Sequence, residues 1–284
     1  VSTANAPFLH SQWLELGYVL VPRLMAPARA KRLCEISDAI LAQWRERDPQ
    51  TGQPGEKPDA TVMRHLNHPA YFAQHPEWRI EVLEAAADPD VLAVAEQIFG
   101  EPAMFRCISL FFNPSGIHLD GNWHRDAQFM AKTDEEERQM VLNAGDGGNG
   151  MQLQIALLPS DDIEVVPASH LRWDTPEEYA IRKAGNGAHN RSNDMPGAVR
   201  VAQNAGDAVL FNAMCIHRGR YHNDKPRRTL MLTYTKQREP WFDFFSDQPW
   251  FLDTGCLDGL SPHAQHFYQR FIAQYESRWR EKHT

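Results

Sequence analysis

Apolar residues recur at helical spacing through the first third of the chain, then break into short runs bounded by turn residues. In "PARAKRLCEISDAILAQW", Leu33, Ile36, Ile40, Leu41 and Trp44 share one helical face and Pro27 suits a first turn, which predicts an amphipathic helix. Residues 77–99 predict two more helices divided at "ADPD", where Asp88 suits an N-cap, Pro89 the first helical position, and Gly100 the far end. From Ala103 the pattern changes to "AMFRCISLFF", "MQLQIALL", "IEVV", "AVRVA", "DAVLF" and "TLMLTYT", and the second of these begins with the alternation of a half-buried strand. Many short strands in one block predict a jelly roll. Helical period returns in "SPHAQHFYQRFIAQYESRW" through Phe267, Phe271, Tyr275 and Trp279, with Ser261 and Pro262 as a start signal. The expected fold is mainly β with flanking helices. It is read as one domain over residues 1–284, with a helical N-terminal third to about residue 102, a jelly-roll core from about 103 to 236, and a C-terminal helical segment from about 237 to 284.

The composition, 42% hydrophobic and 23% charged, is that of an ordinary globular protein. No apolar run approaches the roughly 18 residues of a membrane span. The opening "VSTANAPFLH" lacks the basic and apolar regions of a signal peptide, so a cytoplasmic location is expected. A net charge of -8 weighs against nucleic acid or an anionic membrane as partner. With no evident basic patch it also weighs against a polyanionic substrate, leaving a small natural-product or amino-acid-like molecule as the expected class. Cys34, Cys107, Cys215 and Cys256 lie far apart and read as reduced thiols rather than a zinc knuckle or disulfide framework. "NAGDGGNG" (Asn143 to Gly150) and "KAGNGAHNRSNDMPG" (Lys183 to Gly197) read as long loops, the second as a lid that is poorly ordered until substrate binds.

The candidate chemistry begins in "NWHRDAQ". Its "HRD" is shared with protein kinases, but Ala131 stands where a kinase needs a metal-binding asparagine, and no glycine-rich phosphate loop or D-F-G follows the pattern. On a strand, His124 and Asp126 would project from one face and could hold one metal ion. Two histidines and a carboxylate on one face of the ion leave positions open for dioxygen and a co-substrate, as in non-haem Fe(II) oxygenases. His217 is the candidate third ligand, and Arg228, at the start of the next strand run, could grip the far carboxylate of a dicarboxylate co-substrate. Rivals exist for each position: His118 and Asp120 in "IHLD" form a second H-x-D, His222 competes with His217, and Arg227 with Arg228.

"WHRD", then "EVVPASH", then His217 with Arg228, together with the opening "FLHSQWLELGYVLVPRLMAP", resemble the phytanoyl-CoA dioxygenase-like family of Fe(II)/2-oxoglutarate-dependent oxygenases over most of Phe8 to Tyr234. The resemblance implies a double-stranded β-helix of cupin-like form. It implies Fe(II) held by His124, Asp126 and His217, and 2-oxoglutarate bound by Arg228. The partners implied are a small-molecule substrate, 2-oxoglutarate and dioxygen, in a dioxygenase that hydroxylates an unactivated C–H bond. Two departures stand out: the family often has glycine at Ala168 of "PASH", and often a serine two residues after the distal histidine, where Gly219 stands. His170 is expected to be structural, Asp161 and Asp162 to be turn acids, and Arg220 a strand-end charge within reach of a substrate carboxylate. The competing reading is a non-catalytic jelly roll that binds a metal or small ligand as a sensor or carrier.

Overall fold

The computed structural model describes residues 6–144 and 150–282. Its N-terminal third holds the helices α1 (Ala6–Leu16), α2 (Pro27–Glu46), α3 (Pro76–Ala86) and α4 (Pro89–Phe99), interrupted by two short strands, β1 (Tyr18–Val21) and β2 (Val62–Met63). The signals for α4 act as read: the Asp88 carboxylate accepts from the amides of Asp90 and Val91, and Gly100 ends the helix at φ 68, a left-handed conformation that costs glycine little. In α2 the residues Leu33, Ile36, Ile40, Leu41 and Trp44 are all buried.

The remaining elements are β3 (Ala103–Phe112), β4 (Leu119–Asp120), α5 (Asp134–Asn143), β5 (Gly150–Ala156), β6 (Ser160–Val165), α6 (Pro176–Arg182), a single turn α7 (Ala184–Gly187), β7 (Val199–Gln203), β8 (Ala208–Phe211), β9 (His217–Tyr221), β10 (Arg228–Lys236) and α8 (Pro262–Lys282). They form a six-stranded sheet, β1-β8-β5-β10-β3-β2, and a four-stranded sheet, β4-β9-β6-β7, with antiparallel pairing throughout. This is the mainly β, jelly-roll arrangement with flanking helices. Among the described residues no helix is long and apolar enough to cross a membrane.

The two faces of the larger sheet differ in chemistry. Leu230, Leu232 and Tyr234 of β10, Leu153 and Ile155 of β5, and Ile108 and Leu110 of β3 join one apolar core with residues of α2, α3, α4 and α8. Tyr234 donates to the Ala86 carbonyl at the end of α3, and the Phe105 ring lies 4.9 Å from that of Phe271 in α8. The alternate residues, Thr229 and Thr233 of β10, Gln152 and Gln154 of β5, and Cys107 and Ser109 of β3, face the smaller sheet instead. The interior of the barrel is therefore its more polar side. The apolar face of β10 is committed to the helices.

Candidate metal centre and co-substrate pocket

His124 and Asp126 do not lie on a strand. His124 makes an isolated bridge to His217, exchanging backbone hydrogen bonds of 3.0 and 2.9 Å, and Asp126 opens a 3-10 turn (Asp126–Phe129) with its amide donating to the Ala213 carbonyl. Arg125, between them, turns the other way. Its fully buried guanidinium pairs with Asp174 at 2.9 Å and donates to the Ser169 carbonyl at 2.7 Å, while Arg182 takes the other Asp174 oxygen at 2.8 Å. This buried network pins the turn that carries the two candidate ligands, and losing either member would strand a desolvated charge.

The three candidate ligands converge. His124 Nε2 lies 3.7 Å from Asp126 Oδ1, His217 Nε2 lies 3.6 Å from the same oxygen, and the imidazole centroids are 4.2 Å apart. Each ring's Nδ1 sits against a backbone carbonyl, that of Asn122 at 2.7 Å for His124 and that of Cys215 at 2.9 Å for His217. A carbonyl only accepts, so both Nδ1 atoms carry the proton and both Nε2 lone pairs point at Asp126. Gln152 donates to Asp126 Oδ2 at 2.7 Å, which leaves Oδ1 free on the same side. Burial pushes the Asp126 carboxyl above the ordinary aspartate range, countered in part by His124, Arg64 and Gln152. Burial, reinforced by His124, pulls His217 well below the ordinary histidine range. Two imidazole nitrogens and a carboxylate oxygen gathered at one point form a donor set that suits a divalent transition metal. The rival H-x-D lies elsewhere: Asp120 pairs with Arg220 at 3.0 Å, and His118 faces His222.

Arg228 does not reach this interior. Its guanidinium turns to the helix side and pairs with Asp38 of α2 at 2.5 Å. Leu230 and Leu232 do share its face, but that face packs on the helices, so the apolar face of β10 does not mark the barrel interior as expected. Arg227, 1% exposed, enters the barrel. Its guanidinium lies 5.4 Å from the Phe111 ring centroid and 5.1 Å from that of Tyr221, 3.8 Å from Asp162, and its Nη1 is buried without a hydrogen-bond partner among the described residues. Asp162 is accordingly a buried strand residue rather than a turn acid. Tyr221 also explains the departure at Gly219, since a Cβ there would meet the Tyr221 hydroxyl at 2.5 Å.

Two further cations line the interior without any signal in the motif. Arg64, just beyond β2, reaches Ser109 Oγ at 3.3 Å and lies between the rings of Phe111 and Phe245. Arg106 pairs with Asp243 and lies 3.9 Å from the Trp241 ring centroid. An acidic chain with no basic run thus gathers Arg64, Arg106 and Arg227 inside its barrel, contrary to the absence of a basic patch read from sequence. Gln152 was legible, being a polar residue of the alternating "MQLQ".

Arg220, buttressed by Asp120 and by Glu164 at 3.4 Å, is an ion-pair member on the outer face of the smaller sheet. His170 Nε2 donates to the Leu14 carbonyl at 3.1 Å and is buried away from the triad. The segment Lys183 to Gly197 is tied down rather than loose. Trp123 Nε1 donates to the Ser192 carbonyl at 2.8 Å, the Trp123 amide to Asn190 at 2.7 Å, and Arg218 to the carbonyls of Arg191 and Ser192 at 3.0 and 3.1 Å. It buttresses the residue before His124. Of the other loop, residues 145–149 lie outside the described residues.

Comparison with known proteins places this geometry in context. No curated sequence matches the chain. Among solved structures, SnoN, titled a non-heme alpha ketoglutarate dependent epimerase from nogalamycin biosynthesis, is 20% identical with a TM-score of 0.56, covering 87% of this chain and 88% of its own. AviO1 from Streptomyces viridochromogenes Tue57 is 16% identical with a TM-score of 0.60 over 86% of this chain and 100% of its own. EctD from S. alaskensis with bound Fe is 18% identical with a TM-score of 0.57 over 89% and 83%. At these identities the likeness establishes a common fold. The sequence itself matches the phytanoyl-CoA dioxygenase (PhyH) family over residues 13–229, and the chain belongs to that family of Fe(II)- and 2-oxoglutarate-dependent oxygenases.

Proposed function

We propose that the protein hydroxylates an unactivated C–H bond of a small organic molecule, with His124, Asp126 and His217 holding Fe(II) and Arg227 receiving the distal carboxylate of 2-oxoglutarate. The observation that carries this reading is the convergence of His124 Nε2 and His217 Nε2 on Asp126 Oδ1, at 3.7 and 3.6 Å, with the other ring nitrogens and Asp126 Oδ2 already engaged. When bound, iron and 2-oxoglutarate activate dioxygen, so that one oxygen atom enters the substrate and the other enters succinate with loss of carbon dioxide.

The protein's own part is orientation. The two backbone carbonyls fix the histidine tautomers, and Gln152 fixes the carboxylate rotamer. Arg227 supplies a desolvated fork whose Nη1 lacks a hydrogen-bond partner among the described residues, a feature that favours a carboxylate ligand. At the open side Phe129, 71% exposed, lies 5.4 Å from the His124 ring, and Trp241 and Phe244 are exposed beside Arg106 and His65. Such apolar side chains favour a substrate with an apolar surface near the oxidised carbon.

The test is an anaerobic titration of the purified protein with Fe(II) and 2-oxoglutarate, followed by air. A visible charge-transfer band and then succinate are expected, and His217→Ala should yield neither. Metal binding without succinate would leave the sensor or carrier reading in place. The structural neighbours SnoN and SnoK are described as an epimerase and a carbocyclase, so product analysis on a turned-over substrate has to find an added oxygen atom; a product without one would refute hydroxylation.

A further inference from the structure

The residues that competed with the triad in the sequence form a cluster of their own. His118 and His222 flank the pair Leu119 and Tyr221, at which β4 joins β9, and Asp224 follows in the turn toward β10. The two imidazole centroids are 5.6 Å apart, and one ligand-capable atom from each of His118, His222 and Asp224 lies within 4.8 Å of the other two. Their surroundings make the grouping more than a chance meeting of polar side chains. The charged residues next to them in the chain are paired elsewhere: Asp120 with Arg220, and Lys225 with Asp161 and Asp162. Among the described residues no hydrogen bond or ion pair engages the His118 ring, the His222 ring or the Asp224 carboxylate. His222 Nε2 is moreover shielded from solvent and has no hydrogen-bond partner among the described residues, so it is available to a ligand.

We infer that His118, His222 and Asp224 form a second divalent-metal site, distinct from the triad and open to a zinc-class ion. Two imidazoles and one carboxylate suit Zn²⁺, Co²⁺ or Ni²⁺, with water completing the coordination shell, and do not suit Mg²⁺ or Ca²⁺, which take oxygen donors. The site stands at the opposite end of β9 from His217, five residues away, or roughly 16 Å along an extended strand, so one ion cannot serve both clusters. Its position ties the segment before β4 to the β9–β10 turn. That turn runs between Tyr221 and Arg227, the two residues placed at the co-substrate pocket, so a metal here holds their connection from outside the barrel.

The experiment is a Co²⁺ titration of metal-free protein followed by its visible absorption, with metal content counted after gel filtration. Wild-type protein should take up two ions per chain, the double variant His118→Ala/His222→Ala one, and His217→Ala one. Only the triad ion should change its spectrum when 2-oxoglutarate is added. Asp224→Asn, at an exposed turn position, gives a second and milder variant and should lose or weaken the same ion that the double variant loses. One ion in wild-type protein, unaffected by His118→Ala/His222→Ala, would overturn the inference, as would a second ion that persists in that variant. Failure of the triad reading would show separately, as a His217→Ala protein that keeps its 2-oxoglutarate-sensitive ion.

Discussion

Replacing Arg227 and Arg228 one at a time tests how β10 presents its two faces. The Arg227 side chain is 1% exposed and stands free of strong pairing at Nη1, whereas Arg228 is 17% exposed and its partner Asp38 is 51% exposed. Truncating one partner of a desolvated charge pair costs about 2–5 kcal/mol, which converts to roughly 30-fold to several-thousand-fold weaker 2-oxoglutarate binding for Arg227→Ala. A partly exposed ion pair contributes about 0.2–1 kcal/mol to folding and nothing directly to the ligand, so Arg228→Ala should leave 2-oxoglutarate affinity within about twofold of wild type while slightly lowering stability. Arg227→Ala is a clean perturbation because Asp162 keeps Lys225 at 3.1 Å and the Ser160 hydroxyl at 2.9 Å, so no carboxylate is left stranded. The assay is the dissociation constant for 2-oxoglutarate, read anaerobically from the charge-transfer band of the Fe(II) protein. A large loss in Arg228→Ala with little change in Arg227→Ala would refute the assignment and the strand register behind it.

Two further predictions concern the departures noted in the sequence. The Tyr221 ring and hydroxyl fill the space beside Gly219, next to Arg227; Tyr221→Phe should therefore weaken 2-oxoglutarate binding by roughly tenfold, the value of about 1.5 kcal/mol for a hydrogen bond to a charged group, and Gly219→Ser, which needs the ring removed as well, should recover part of the loss in a Tyr221→Ala background. No recovery, with the fold intact by circular dichroism, would remove Tyr221 from the pocket. Ala168 stands at φ 60 and ψ 4, a left-handed conformation that costs a non-glycine residue about 1–2 kcal/mol. The greater flexibility of glycine in the unfolded chain offsets about 0.5–1 kcal/mol of that, so Ala168→Gly should stabilise the protein by about 0.5–1 kcal/mol and raise its melting temperature by about 2 °C; a lower melting temperature would contradict the account.

What the sequence made legible follows from what each signal depends on. Helix α4 was readable because its cap, its first-turn proline and its terminal glycine are local, and the structure uses each of them. The strand runs were readable for the same reason. The H-x-D with His217 was readable as chemistry, although the geometry that serves it is an isolated bridge and a 3-10 turn, not the strand assumed. That Arg227 rather than Arg228 faces the barrel was not readable, because β10 is buried on both sides. Helices α2, α3 and α8 take the leucines, which leaves the threonines, glutamines and Arg227 to the barrel. Arg64 was not readable either, since it enters the site from a two-residue strand paired with β3, and nothing local announces that pairing. The same logic separates the two histidine clusters: His118 and His222 resembled ligands for the triad by spacing alone, and only the pairing of β4 with β9 places them at the far end of the strand that His217 begins. Local signals therefore identified the candidate donors, while long-range pairing decided which of them come together.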